Sequence, residues 1–125
     1  MPIRWEADHA QKIVRVTGEG IVGLKDVETY LDQIVTAGAM PYGKLFDVTE
    51  VDPKYDDHDL MMLGARMSAY RATMKNGPLV FVVTDGPVFE AVHRYINLAP
   101  AQRPVEVFST VPEAEAWLAA QLKPG

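Results

Sequence analysis

The segment at residues 79–84 constrains the fold of this chain more than any other feature. It is apolar up to its last residue and rich in β-branched side chains, and Asn-Gly-Pro before it and Asp-Gly-Pro after it are turn signals. A strand without alternation of apolar and polar residues is typically covered on both faces, as central parallel strands of α/β sheets are. The segment therefore predicts a central parallel strand.

Residues 3–7 and 12–22 predict two further strands, joined by a short turn. Apolar and polar side chains alternate along the second segment, which is typical of a strand with one buried face. Because the turn joins the two segments directly, the pair is predicted to be antiparallel. Gly18 and Gly20, inside the second strand, indicate a bulge or a close approach of neighbouring chain segments.

Four segments carry helical periodicity, near residues 24–35, 60–74, 87–96 and 110–122, and short strands at residues 44–48 and 105–108 lie between them. The order β-β-α-β-α-β-α-β-α predicts one α/β domain over residues 1–125. Its sheet is mixed and five-stranded, with one antiparallel strand and four helices. The β-α-β crossovers are expected to be right-handed, as nearly all such connections are.

Composition narrows the classes of partner. The formal net charge is −5 and the 12 Lys and Arg residues are scattered, so neither nucleic acid nor a membrane surface is expected to bind. Without cysteine, disulfides, thiolate catalysis and thiolate zinc sites are excluded. No stretch resembles a signal peptide or is long enough to span a bilayer, and we therefore expect a cytoplasmic protein.

The third strand and the loop after it contain the candidate site. Ligands of open α/β sheets bind beyond the carboxyl ends of the strands, and Asp47 and Thr49 are predicted to lie at such an end. Two interpretations of this pair stay open. The side chains contact a ligand or partner, or they form a turn by bonding to nearby backbone amides.

An acidic stretch, residues 52–59, follows and contains the densest cluster of potential ligand groups in the chain. Its spacing matches neither an EF-hand nor a zinc site, and no metal or other cofactor is predicted. One interpretation is a solvated loop in which Asp56 or Asp57 caps the next helix. The other is a binding surface that includes Asp57 and His58.

The second helix carries four methionines, two of them adjacent. Met61 and Met62 cannot both lie on the face of Leu60, so at least one is predicted to be exposed. Methionine adapts to varied partner surfaces, and tyrosine is enriched at interfaces. The predicted partner- or ligand-binding residues are therefore Asp47, Thr49, Asp57, His58, Met61, Met62 and Tyr70.

Four motifs suggest a family, at residues 14–20 (VRVTGEG), 45–51 (LFDVTEV), 82–87 (VVTDGP) and 108–118 (FSTVPEAEAWL). Together they resemble the SpoIIAA-like group of the STAS superfamily, which is related to anti-sigma-factor antagonists. The resemblance covers nearly the whole chain and implies the STAS fold and its interaction surface. In such antagonists a phosphorylatable Ser or Thr lies where the second long helix starts, and residues 55–60 contain neither.

Three functions are consistent with these observations. The first is a small regulatory domain that binds a protein partner or a second copy of itself, without the phosphoswitch. The second is a carrier of a small apolar or lipid-like ligand, held in a cleft between sheet and helices. The third, ranked last, is a metal-assisted enzyme that uses Asp47, Asp52, Asp57 and His58. No catalytic signature is found, and the chain is not expected to be an enzyme.

Overall fold

The structure is a computed structural model that describes residues 2–98 and 103–123. The predicted order of strands and helices is confirmed. In chain order the elements are β1 (Ile3–Asp8), β2 (Ile13–Gly23), α1 (Leu24–Thr36), β3 (Gly43–Lys54), α2 (Asp57–Thr73), β4 (Leu79–Val82), α3 (Pro87–Leu98), β5 (Val105–Phe108) and α4 (Val111–Leu122).

The five strands form one mixed sheet in the order β1-β2-β3-β4-β5. β1 pairs with β2 in the antiparallel sense, and the other three neighbouring pairs are parallel. The apolar segment forms β4, which lies between β3 and β5. Both faces of β4 are covered, as its unbroken apolar sequence predicts.

Side chains alternate between the two faces of the sheet. Leu45, Val80 and Val82 pack with Ala114 and Leu118 of α4 on one face. On the other face, β1 and β2 pack with α1 and α2, and Phe81 packs with residues of α3. Among the described residues, three helices therefore cover one face and α4 covers the other.

The third strand is longer than predicted. We expected it to end at residue 48, but it continues to Lys54. Its ladder with β4 ends at the pair of Asp47 and Val82, and the remainder of β3 pairs, among the described strands, with β2 only. Residues 50–54 are acidic and include a proline, a composition typical of a loop. Proline is tolerated because this part of β3 is an edge.

The glycines of β2 lie where this extension begins. The register of β2 and β3 shifts between Thr17 and Glu19, and β3 carries one extra residue there. A Cβ atom on Gly18 would lie 2.6 Å from Cγ2 of Val51, and Gly20 has a positive φ of 73°. Both the predicted bulge and the predicted close approach are therefore present.

No helix within residues 2–98 and 103–123 is both long enough and apolar enough to cross a bilayer.

Candidate functional site

An apolar cavity lies between the sheet and the helices α1, α2 and α3. Its volume is about 150 Å³. Sheet residues form its floor and the three helices form its roof, and the wall is built from aliphatic and aromatic side chains such as Val16, Ile34, Phe46, Leu63, Phe81 and Val92.

Aromatic rings shape the floor of the cavity. Phe46 and Phe81 are register partners on β3 and β4, and their rings stack with centroids 5.6 Å apart. Tyr30 of α1 meets Phe46 edge-on, with centroids 5.5 Å apart. Aromatic pairs prefer these offset and edge-on arrangements, so the three rings hold one another in place.

Lys44 is the one charged residue that is fully buried in the described part of the chain, with 3% of its surface exposed. It lies near the start of β3 and lines the cavity, as Phe46 and Val48 do two and four residues later. Its Nζ atom donates a hydrogen bond to the carbonyl of Met40. Burial, aided by the charge of Arg103, lowers the pKa of Lys44 to about 7.

Arg103 provides a second cation at the same end of the cavity. It precedes β5, lines the cavity, and donates from Nη1 to the carbonyl of Gly77 at 3.1 Å. Burial lowers the pKa of this guanidinium, while Tyr95 and Tyr30 act in the opposite direction. An arginine remains charged at any physiological pH, so this end of the cavity is positive.

Two tyrosines complete the polar part of the wall. The hydroxyl of Tyr30 is buried and has no hydrogen-bond partner among residues 2–98 and 103–123. Burial raises the pKa of Tyr30 and of Tyr95, so both remain neutral hydroxyl donors. An unpaired buried hydroxyl is uncommon in proteins and is often a sign of a missing partner.

The opposite end of the cavity has a different character. Tyr55, which follows β3, lines the cavity there. Burial raises its pKa, and the nearby carboxylates Asp26 and Asp59 raise it further. The cavity therefore has a cationic end near the start of β3. Its other end, just beyond the last residue of β3, has acidic side chains nearby.

Two of the predicted site residues lie outside this cavity and bond to each other. The backbone N–H and the hydroxyl of Thr49 both donate to Oδ1 of Asp47, at 3.2 and 2.8 Å. They are internal to β3, at the bulge, and not at its end as predicted. The contact is the local turn chemistry that the second interpretation describes.

The acidic stretch caps and anchors α2. Asp56 accepts from the backbone N–H of Asp59 at 2.8 Å, and Asp59 accepts from that of Asp56. Asp57 is exposed and forms a bidentate ion pair with Arg94 of α3, which lowers the pKa of Asp57. His58 is exposed beside them.

The metal-assisted hypothesis has no assembled site. Across residues 2–98 and 103–123, no three His, Asp or Glu side chains converge closely enough to hold an ion. Asp47 is bonded to Thr49, and Asp57 to Arg94, so the four residues of that hypothesis do not form one cluster.

The remaining predicted residues lie on α2. Met61 and Met62 are both solvent-accessible, with 59% and 47% of their surfaces exposed. Tyr70 packs partly against the core, and its hydroxyl accepts a hydrogen bond from Arg66 Nη1 at 2.7 Å. These methionines form an exposed apolar pair on the second helix, separate from the cavity wall.

The polar residues of the cavity were not predicted as a site. Lys44 had a usable signal, because alternation along β3 places it on the same face as Phe46. Tyr30 and Tyr95 occur within apolar helix patterns, where a tyrosine resembles any core aromatic residue. Arg103 had no signal, since it lies in an irregular segment and joins the cavity through the tertiary fold.

Several solved structures have a similar fold. A DUF3478-family protein with a SpoIIAA-like fold, from Shewanella loihica, is 18% identical, with a TM-score of 0.64 over 93% of each chain. The unphosphorylated anti-sigma factor antagonist SpoIIAA is 13% identical, with a TM-score of 0.57 over 93% of this chain and 96% of that one. The phosphorylated Bacillus cell fate determinant SpoIIAA is 17% identical, with a TM-score of 0.53 over 93% and 98%.

These similarities confirm the SpoIIAA-like, STAS-type fold that the sequence motifs suggested. A scan against protein-family models and a search of curated proteins found no match.

Proposed function

We propose that this SpoIIAA-like domain binds a small apolar molecule in the cavity between its sheet and the helices α1, α2 and α3. The observation that carries this proposal is the cavity itself, about 150 Å³ in volume and walled by core side chains. An engineered apolar cavity of roughly that size binds benzene, so the ligand has an apolar part of about that size.

The test is a thermal unfolding series with benzene, toluene and hexanol, together with native mass spectrometry of freshly purified protein. Binding to the folded state alone raises the unfolding temperature with ligand concentration. Ala91 lines the cavity, so Ala91→Leu should reduce this response. The matched control is Ala119→Leu at an exposed site on α4, which should leave the response unchanged. No response from the unaltered protein would rule out the proposal.

A second proposed function is regulatory binding of a protein partner or a second copy, in the cytoplasm and without a phosphoswitch. The observation that favours it is the adjacent exposed pair Met61 and Met62. One of the similar structures is an anti-sigma factor antagonist, which gives the proposal a precedent in the fold. Residues 55–60 carry no Ser or Thr, so the proposal includes no Ser or Thr phosphoswitch there.

Light scattering after size exclusion tests the self-association form of this proposal. We expect a dimer that Met61→Gln with Met62→Gln converts to a monomer, because interface cores tolerate few polar substitutions. Met67→Gln is unsuitable as a control, since Met67 packs against the core. Lys25→Gln at an exposed site on α1 is the control, because Arg71 of α2 lines the same surface groove as Met61.

A further inference from the structure

We infer that the ligand of this cavity is a small monocarboxylate, held by Lys44, Arg103 and the hydroxyl of Tyr30. This inference rests on the proposed function, since it assigns a chemical class to the ligand of the same cavity.

The first argument is the charge of the wall. Lys44 and Arg103 both line the cavity, and no Asp or Glu is among the described residues that line it. A buried cation is costly unless an anion or several hydrogen-bond acceptors compensate it. The acceptors that the structure gives these two groups are neutral: the carbonyl of Met40, its sulfur, and the carbonyl of Gly77. The cavity is therefore complementary to an anion.

The second argument is position. Lys44 is the register partner of Leu79, and Leu79 is the register partner of Val105, two residues after Arg103. Backbone bonds continue this row, from Lys44 N–H to the carbonyl of Pro78 and from Leu79 N–H to that of Pro104. The two cations thus lie at the same end of the sheet, the end at which the parallel strands β3, β4 and β5 begin. The acidic neighbours of Tyr55 lie at the opposite end.

The third argument is the free hydroxyl of Tyr30. It is buried, lines the cavity and has no partner among the described residues. A carboxylate has two oxygens that accept hydrogen bonds, and a guanidinium matches them with parallel N–H groups. One such group would use the ammonium, the guanidinium and the hydroxyl together, while its apolar part fills the space over Phe46 and Phe81.

The test compares benzoate with benzyl alcohol by titration calorimetry at pH 7. The two probes share a ring, and they differ in the charged group. We expect benzoate to bind roughly 10-fold tighter or more, the effect of charge-assisted over neutral hydrogen bonds. Tyr30→Phe and Lys44→Met should weaken the binding of benzoate and leave the binding of benzyl alcohol little changed. Lys25→Met, at an exposed site, is the control and should change neither.

The outcomes separate the two proposals. If benzyl alcohol binds in the cavity as well as benzoate or better, the carboxylate inference is overturned and the proposed function stands. If benzoate binds tighter but Tyr30→Phe and Lys44→Met leave its affinity unchanged, the assignment of these residues is overturned. If neither probe binds, and the apolar series also fails, the proposed function is overturned and this inference falls with it.

Discussion

The ammonium of Lys44 donates a hydrogen bond to the backbone carbonyl of Met40, and both side chains are almost fully buried in the cavity wall. Met40 also places its sulfur 3.8 Å from the same nitrogen. A cation is thus held at the edge of an apolar space by neutral acceptors alone among the described residues. This contact fixes where the cationic end of the cavity lies, and the burial of Lys44 ties the stability of the fold to pH.

Lys44 should make the protein more stable as the pH rises from about 7 to about 10. Its pKa in the folded protein is about 7, against 10.5 for the unfolded chain. In that window the unfolded state binds the proton and the folded state does not, so the free energy of unfolding rises with pH. The full effect of the shift is roughly 3–5 kcal/mol at about 1.4 kcal/mol per unit. Urea unfolding between pH 6 and 10 measures it.

Lys44→Met provides the control for that experiment. The variant should be more stable than the parent at pH 6, because it buries no ammonium group at this position. Its stability should also depend less on pH between 7 and 10, because methionine does not titrate. A parent protein with a flat profile in this window would contradict the lowered pKa of Lys44.

Gly18→Ala should destabilise the fold by about 1–3 kcal/mol, the usual cost of overpacking. The added Cβ would lie 2.6 Å from Cγ2 of Val51, at the bulge where β3 gains its extra residue. Chemical denaturation measures the change. The double variant Gly18→Ala with Val51→Ala should show a smaller loss than the sum of the two single variants, since removing the methyl group relieves the clash. Additive losses would show that the contact is unimportant.

The central part of the fold could be predicted from the sequence because its signals are local. The apolar run of β4, the alternation in β2 and the helical periodicities each depend on side chains a few residues apart. The extension of β3 could not be predicted in this way. Residues 50–54 have a loop-like composition, and pairing with β2 alone makes them a strand.

The candidate site was less predictable, and for the same reason. In the sequence, Asp47 and Thr49 are polar residues that follow the apolar part of the third strand. In the structure, Thr49 donates hydrogen bonds to Asp47 in a local turn contact. Lys44 and Arg103 are 59 positions apart in the chain, and only the packing of three helices on the sheet places both on one cavity. The burial of Lys44 is what marks it as a candidate site residue, and burial at that position depends on the tertiary fold.

Asp56→Ala should cost about 1 kcal/mol of stability, the typical value of an N-cap. Its carboxylate accepts from the N–H of Asp59, and the return bond from Asp59 depends on the same turn. Asp57→Ala is the matched comparison, because its partner Arg94 is exposed and pairs of that kind contribute little. Thermal unfolding should therefore show a larger loss of stability for Asp56→Ala than for Asp57→Ala. Equal losses for both variants would contradict the assignment of Asp56 as the cap.

Benzoate binding should take up protons near neutral pH and weaken as the pH rises. With a pKa of about 7, Lys44 is only partly protonated at pH 7 before the anion binds, and the anion raises that pKa, so a fraction of a proton is taken up per ligand. The other titratable groups on the described wall are Arg103, Tyr30, Tyr55 and Tyr95; the arginine stays charged, and burial raises the pKa of each tyrosine. Lys44 is therefore the group that changes its charge in this range.

Calorimetry at pH 7 in two buffers with different ionisation enthalpies measures this proton uptake directly. Lys44→Met should abolish it, and Tyr30→Phe should retain it while weakening the binding of benzoate, since the phenol remains neutral throughout this range. The affinity of the unaltered protein should fall between pH 6 and 9, because protonating Lys44 becomes more costly as the pH rises. Binding of benzoate without proton uptake, and with the same affinity at pH 6 and 9, would show that the carboxylate does not lie beside Lys44.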